Sequence, residues 1–263
     1  MTTTKDTTTP TTGRAPVNGL DMYYEIHGTG RPLLLMHGGL LTIDLTFSAL
    51  LPALAETHKV IAVELQGHGH TADIDREVTL EFMADDIVAL LDHLGIERAD
   101  LFGFSLGGLV ALQTAISHPD RVDQLVLAAT HYRPDGYYPE IANPALQTGS
   151  SSRLPSEGDF QVMRDAYTSV APDPDHFPEF TAKVSEAVGG FQGWSADDLR
   201  KITSPTLIMI GDTDFVRLEH AVEMYELIRD SQLAIVPGTN HMSLMARAEL
   251  VLPIVESFLA RSS

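Results

Sequence analysis

The sequence predicts an α/β fold, a largely parallel sheet with helices on both faces and a helical insertion laid across one end. Three observations lead there. From Pro32 onward, short apolar runs alternate with longer segments of helical spacing, the pattern of parallel strands joined by crossover helices. That rhythm breaks at Thr130, and through Arg200 the chain carries Pro134, Pro139, Pro144, Pro155, Pro172, Pro174 and Pro178. It resumes at Pro205. A length of 263 residues with 44% hydrophobic content is enough for one domain with such an insertion.

Taken in order, residues 1–15 are mostly threonine with Pro10 and Gly13, show no packing periodicity, and are expected to form a flexible tail. Val17–Leu20 and Asp21–Ile26, joined at Asn18-Gly19, form an antiparallel opening pair. Pro32–Met36 is a short apolar run suited to a buried strand, and His37-Gly38-Gly39 ends it. Thr42–Ala55 has helical spacing, and Lys59–Val63 is the next strand. Thr79–Leu94 is amphipathic, with Leu80, Ala84, Ile87, Leu91 and Leu94 on one stripe. Gly95 stops it.

Ala99–Phe104, interrupted only by Asp100, is a further strand, and Leu106–Ile116 is apolar nearly all round, so it should be the most buried helix. Val122–Ala129 is again strand. The break from 131 to 200 reads as a helical cap over the carboxyl ends of the strands, where open sheets bind ligands. Within it, Phe160, Met163 and Tyr167 mark one helix and Phe177, Phe180, Val184 and Val188 another; Tyr137, Tyr138, Phe160, Phe191 and Trp194 are candidates to line a pocket. Pro205–Ile210 and Gln232–Val236 are strands around a helix at Leu218–Ile228, and a last helix runs from Leu244 to Leu259. The domain limits are thus 16–130 and 201–263 for the core and 131–200 for the cap.

The charge narrows the partners. With 36 acidic against 17 basic side chains the formal net charge is -19, which repels nucleic acid and anionic membranes and disfavours strongly anionic substrates. No basic amphipathic segment or membrane-length apolar run occurs, and Met1–Asp6 leads into threonines without an apolar signal. Cysteine is absent, which excludes disulfides and thiolate chemistry. The expectation is a cytoplasmic protein with a small-molecule partner and no cofactor. No segment specifies an oligomeric state.

The chemistry is organised around Gly103-Phe104-Ser105-Leu106-Gly107. A strand ends on a serine with glycine two residues before and after, and a helix begins at once: a strand-to-helix corner that holds a hydroxyl out of the core. Two other strand ends supply its partners. Asp212 or Asp214, and then His241, follow in the loops after later strands, so all three loops lie on one side of a parallel sheet. A serine needs a base to remove its proton, and a carboxylate orients that imidazole. Asp214 is preferred over Asp212 because it lies deeper in its loop; Asp135 is third. The N–H groups of Gly39 and Leu106 are candidates for an oxyanion hole.

On these motifs the chain resembles the α/β-hydrolases over residues 17–260, with His37-Gly38-Gly39 as oxyanion loop, Gly103–Gly108 as nucleophile elbow, Gly211–Asp214 as acid loop and Asn240-His241 as base loop. The resemblance implies an eight-stranded sheet with strand two antiparallel, a cap after strand six and an acid at Asp214. It implies a serine hydrolase of the capped, esterase-like branch, cleaving carboxylic esters of small or medium size. Alternatives with the same triad are a lactonase, a carbon–carbon bond hydrolase or peroxide-dependent acyl transfer, and, in another class, a non-catalytic small-molecule binder. For a carbon–carbon substrate, Arg133, Arg153 and Arg164 are candidate carboxylate clamps. The segment Glu64–Thr71 departs from the family pattern and brings His68 and His70 near Asp73 and Asp75; this set reads as a polar loop rather than a metal site.

Overall fold

The computed structural model describes residues 10–142 and 153–261. Its eight strands are β1 (Thr11–Val17), β2 (Leu20–His27), β3 (Arg31–Met36), β4 (His58–Val63), β5 (Ala99–Phe104), β6 (Val122–Ala128), β7 (Thr206–Gly211) and β8 (Ser231–Val236). They form one sheet in the order β1-β2-β4-β3-β5-β6-β7-β8. β2 is antiparallel to both neighbours, and β4 through β8 run parallel with β3.

One expectation is corrected at the start. The sheet begins at Thr11, inside the segment read as a tail ending at residue 15: Thr11–Val17 pairs with Leu20–Ile26 across the Asn18-Gly19 turn. Ala15 and Val17 are buried while most other side chains of the strand face outward. Threonine is a good strand former, but a strand anchored by two small apolar residues near one end carries almost no hydrophobic alternation. The part of the expected tail at 1–9 lies outside the described residues.

The helices are α1 (Ile43–Phe47), α2 (Leu51–Leu54), α3 (Leu80–His93), α4 (Leu106–Ser117), α5 (Pro139–Ala142), α6 (Glu157–Val170), α7 (Phe177–Gly190), α8 (Ala196–Arg200), α9 (Leu218–Leu227) and α10 (Ala248–Leu259). The segment expected as one helix over Thr42–Ala55 is thus two short ones. α3 and α4 cover one face, packing Met83, Ile87, Leu91, Val110 and Leu112 on Leu34, Leu101 and Leu125. α1, α2 and α10 cover the other, packing Phe47, Leu54, Val255 and Phe258 on Leu35, Phe102 and Val126. Successive residues of the central strands, which point to opposite faces, are therefore apolar in both directions, as two covered faces require.

Local chemistry fixes the ends. The Thr79 side chain accepts the Phe82 N–H at the start of α3, and Ser156 and Asp159 close a reciprocal capping box on α6. Asp100, the lone charge in β5, is fully buried and held by the Arg31 guanidinium at 2.5 Å; burial lifts its carboxyl to about 7.

α5 through α8 stand between β6 and β7 as the helical insertion. It is tied to the core by Asp73, which takes Lys183 of α7 at 2.8 Å and His176 at 3.1 Å. Asp73 and Glu179 raise the His176 pKa. A raised folded value contributes stability below the ordinary histidine pKa and loses it as pH rises through the shifted value. Amide exchange of α7, corrected for intrinsic rates, should therefore quicken between pH 6 and pH 8.5, and His176→Gln should flatten that rise. An unchanged pH profile in the variant would show that this tie is not pH-dependent.

Candidate active site

Three loops at the carboxyl ends of β5, β7 and β8 converge. Ser105 turns the chain from β5 into α4 with φ 52° and ψ -115°, a left-handed corner unusual for a residue with a side chain. Two glycines permit it. A Cβ on Gly103 would collide with the Gly107 backbone, and one on Gly107 would collide with the Met36 carbonyl. The Gly107 N–H instead donates to the His37 carbonyl at 3.0 Å, docking the start of α4 on the end of β3.

The Ser105 hydroxyl lies 2.9 Å from His241 Nε2, and His241 Nδ1 lies 3.0 Å from Asp214 Oδ1. This is a Ser-His-Asp arrangement, with the Nδ1–H donating to the carboxylate and Nε2 left to accept from the hydroxyl. Asp214 is completely buried and also accepts the Val216 N–H at 3.0 Å. The imidazole stacks on Phe215 at 3.7 Å between centroids. Asp212 acts at one remove, since its carboxylate accepts the Thr239 N–H at 3.2 Å and so braces the loop that carries His241. Asp135 is occupied by Arg133.

Gly39 and Leu106 both line the cavity beside Ser105, and neither N–H has an acceptor among the described residues. For Leu106 the reason is general, since the first N–H groups of a helix have no partner within it. The loop bearing Gly39 is pinned by uncharged histidines. His37 donates from Nδ1 to the Gly38 carbonyl and accepts the Leu65 N–H at 3.2 Å; His68 donates to the Gln66 carbonyl and accepts the Leu40 N–H at 3.2 Å. Complete burial lowers the His37 pKa to about 4 and drives that of His68 well down. His70 turns away to Glu64, at 2.8 Å, so the His-x-His pair serves two separate sites.

The cavity measures about 190 Å³. Strain gathers around it. Among the described residues with a side chain, Leu40, Ser105 and Ala129 combine left-handed φ with a place in its wall, and Asn18 at the β1–β2 turn is the remaining example. Of the aromatics expected to form a pocket, Tyr137 and Phe160 line it, whereas Tyr138, Phe191 and Trp194 do not. No Lys or Arg lines it among the described residues. Arg133 pairs with Asp135 and Glu223, Arg153 donates to the Asp214 carbonyl, and Arg164 stacks over Phe177. The cap segment 143–152 contains no Lys or Arg. His131, in the loop after β6, is a wall residue that motif reading misses; its place after a parallel strand, on the same side as Ser105, is the available signal.

With sheet, corner and triad geometry in place, the comparisons agree on the class: the chain belongs to the alpha/beta hydrolase fold family, whose model matches residues 31–248. Among individual proteins it is similar to a non-heme haloperoxidase of Rhodococcus erythropolis, 29% identical over 92% of this chain and 97% of the relative. It is 30% identical to a pimeloyl-[acyl-carrier protein] methyl ester esterase of Neisseria meningitidis over 81% of this chain and 72% of that one. Its fold is that of a meta-cleavage product hydrolase from Pseudomonas fluorescens, with TM-score 0.79, 22% identity, and coverage of 95% and 97% of the two chains.

Since the Gly107 contact is with rigid backbone, Gly107→Ala should destabilise the protein by about 3 kcal/mol, read as a lower midpoint in urea. Gly189→Ala, where nothing lies within 4 Å, is the control and should be near neutral. Equal midpoints for both variants would refute the close docking of α4.

Proposed function

We propose that the protein is a serine hydrolase acting on uncharged esters or lactones of small to medium size. His241 Nε2 takes the Ser105 proton as Oγ attacks the carbonyl carbon, and the carbonyl π pair moves onto oxygen. The N–H groups of Gly39 and Leu106 receive that oxyanion, each contributing about 3 kcal/mol of transition-state stabilisation. Collapse breaks the acyl–oxygen bond, and the imidazolium gives its proton to the departing alcohol. Water, deprotonated by the same Nε2, then attacks the acyl-enzyme; the acyl–Oγ bond breaks, the imidazolium returns the proton to Ser105 Oγ, and the acid is released. Asp214 holds the tautomer and stabilises the imidazolium throughout.

The observation that carries this reading is the 2.9 Å contact between Ser105 and His241, at the floor of an apolar cavity. A second cavity of about 160 Å³ lies next to the first, with Leu41, Phe104, Met163 and Met242 lining both. An apolar wall with no Lys or Arg among the described residues favours neutral substrates.

Carbon–carbon hydrolysis is the second reading, and the likeness to solved structures favours it over ester cleavage, since several of them are meta-cleavage hydrolases. Against it stands the cavity wall, which among the described residues none of the three arginines lines: Arg133 and Arg164 are engaged elsewhere and Arg153 is held on the Asp214 carbonyl. Product analysis separates the two: incubation with short aryl esters, a γ-lactone and a dienoate diketone acid should give turnover on the first two. Turnover confined to the diketone acid would overturn the ester and lactone reading.

Ser105→Ala should abolish turnover to background. Asp214→Asn should lower kcat by about 10³- to 10⁴-fold, while Asp212→Asn, which only weakens a loop brace, should cost about tenfold or less. A larger loss for Asp212→Asn than for Asp214→Asn in steady-state assays would reverse the assignment of the acid.

A further inference from the structure

We infer that His131 is a specificity-determining residue: its imidazole, with the Tyr137 hydroxyl beside it, hydrogen-bonds a hydroxyl or keto oxygen that the substrate carries away from its scissile carbonyl. The inference rests on the hydrolase reading for what occupies the cavity, but binding there does not require turnover, so the two can fail separately.

The histidine is 3% exposed and lines the same cavity as Ser105 and His241. Among the described residues its ring nitrogens have no hydrogen-bond partner. The other buried histidines differ: His37, His58, His68, His220 and His241 each hold at least one ring-nitrogen contact. Neither ring nitrogen is among the fully enclosed unpaired atoms of the described residues, so the imidazole opens to the cavity with its hydrogen-bonding capacity free for what enters it. It is also well positioned. The ring stands 4.2 Å from Tyr137 and 5.9 Å from Phe191, and Gly136 leaves room for it, since a Cβ there would come within 2.8 Å of both His131 and His220.

Its charge state selects the ligand. Burial lowers its pKa to about 3, and His220 and His241 also oppose a positive charge there. The neutral ring presents one N–H and one lone pair. Burial likewise raises the Tyr137 pKa, which keeps its hydroxyl protonated, and that hydroxyl too lacks a hydrogen-bond partner among the described residues. Two neutral polar groups in an apolar wall suit an uncharged oxygen substituent. A carboxylate would meet no Lys or Arg among the described lining residues, and a plain alkyl group would leave both polar groups unused.

The test pairs binding with kinetics. In the Ser105→Ala protein, methyl butyrate, methyl 3-hydroxybutyrate and methyl acetoacetate are titrated by NMR. At least one oxygenated ester should bind about tenfold more tightly than methyl butyrate and shift the His131 ring signals. Adding His131→Phe should bring that ratio towards one, and His131→Gln should restore part of it. In the protein with Ser105 intact, the kcat/KM ratio for the same pairs should follow the same order. Equal affinities in Ser105→Ala, or a ratio that survives His131→Phe, would overturn the assignment. Selective binding without turnover of any ester would uphold it and reject the hydrolase reading instead.

Discussion

The active site depends on how closely α4 approaches the sheet. At Gly103 and Gly107 the start of the helix lies against β5 and the end of β3 with no room for a methyl group, and the Gly107 N–H is bonded to the His37 carbonyl. That contact does two things at once. It forces Ser105 into its left-handed corner, which projects the hydroxyl, and it brings the unpaired N–H of Leu106 alongside the loop that carries Gly39. The projected hydroxyl and the placing of two unpaired N–H groups along one cavity thus follow from one steric constraint in the packing of a helix on two strands. Leu40 and Ala129 add two further strained backbones to the same wall, and the apolar cores on both faces of the sheet hold all three in place.

Charge is handled differently from geometry. The protein is strongly acidic overall, yet several groups around the triad are kept neutral by burial: His37 and His68 beside the loop that carries Gly39, His131 and Tyr137 in the cavity wall. Within these surroundings Asp214 faces the imidazole directly, so a charge developing on His241 is met by a carboxylate, while the Arg153 guanidinium is held on the Asp214 backbone carbonyl. Ion pairs are placed elsewhere, as in the Asp73 tie between cap and core or the Arg31 clamp on Asp100.

Much of this was legible in the sequence because parallel sheets convert chain order into position. Ser105, Asp214 and His241 each follow an apolar run, and strands that run parallel bring all such loops to one edge. The choice between Asp212 and Asp214 rested on depth in the loop, and the structure gives each a distinct partner, His241 for Asp214 and the Thr239 N–H for Asp212. The antiparallel pair about Asn18-Gly19 was legible but the extent of β1 back to Thr11 was not, since its register with β2, and not its own composition, makes that segment a strand. Nor was the cap's contribution: whether Tyr137 or Trp194 reaches the cavity depends on how helices settle across the sheet, and Trp194 ends up donating to Gln113 of α4. His131 carries no motif at all. Its meaning comes from a buried ring in the cavity wall with no hydrogen-bond partner among the described residues, which only tertiary contacts reveal.

The edge strand β8 has a consequence for durability. It is half exposed along most of its length and pairs on one side only, with β7. The loops that follow these two strands carry His241 and Asp214, and are laced together by Thr239, whose carbonyl accepts the Thr213 N–H and whose own N–H reaches Asp212. Peeling this margin of the sheet would separate base and acid from serine while the central strands stay folded. A local opening at the rim is thus enough to dismantle the triad, and the hydrogen bonds that order β8 against β7 guard its geometry as well as the edge of the sheet.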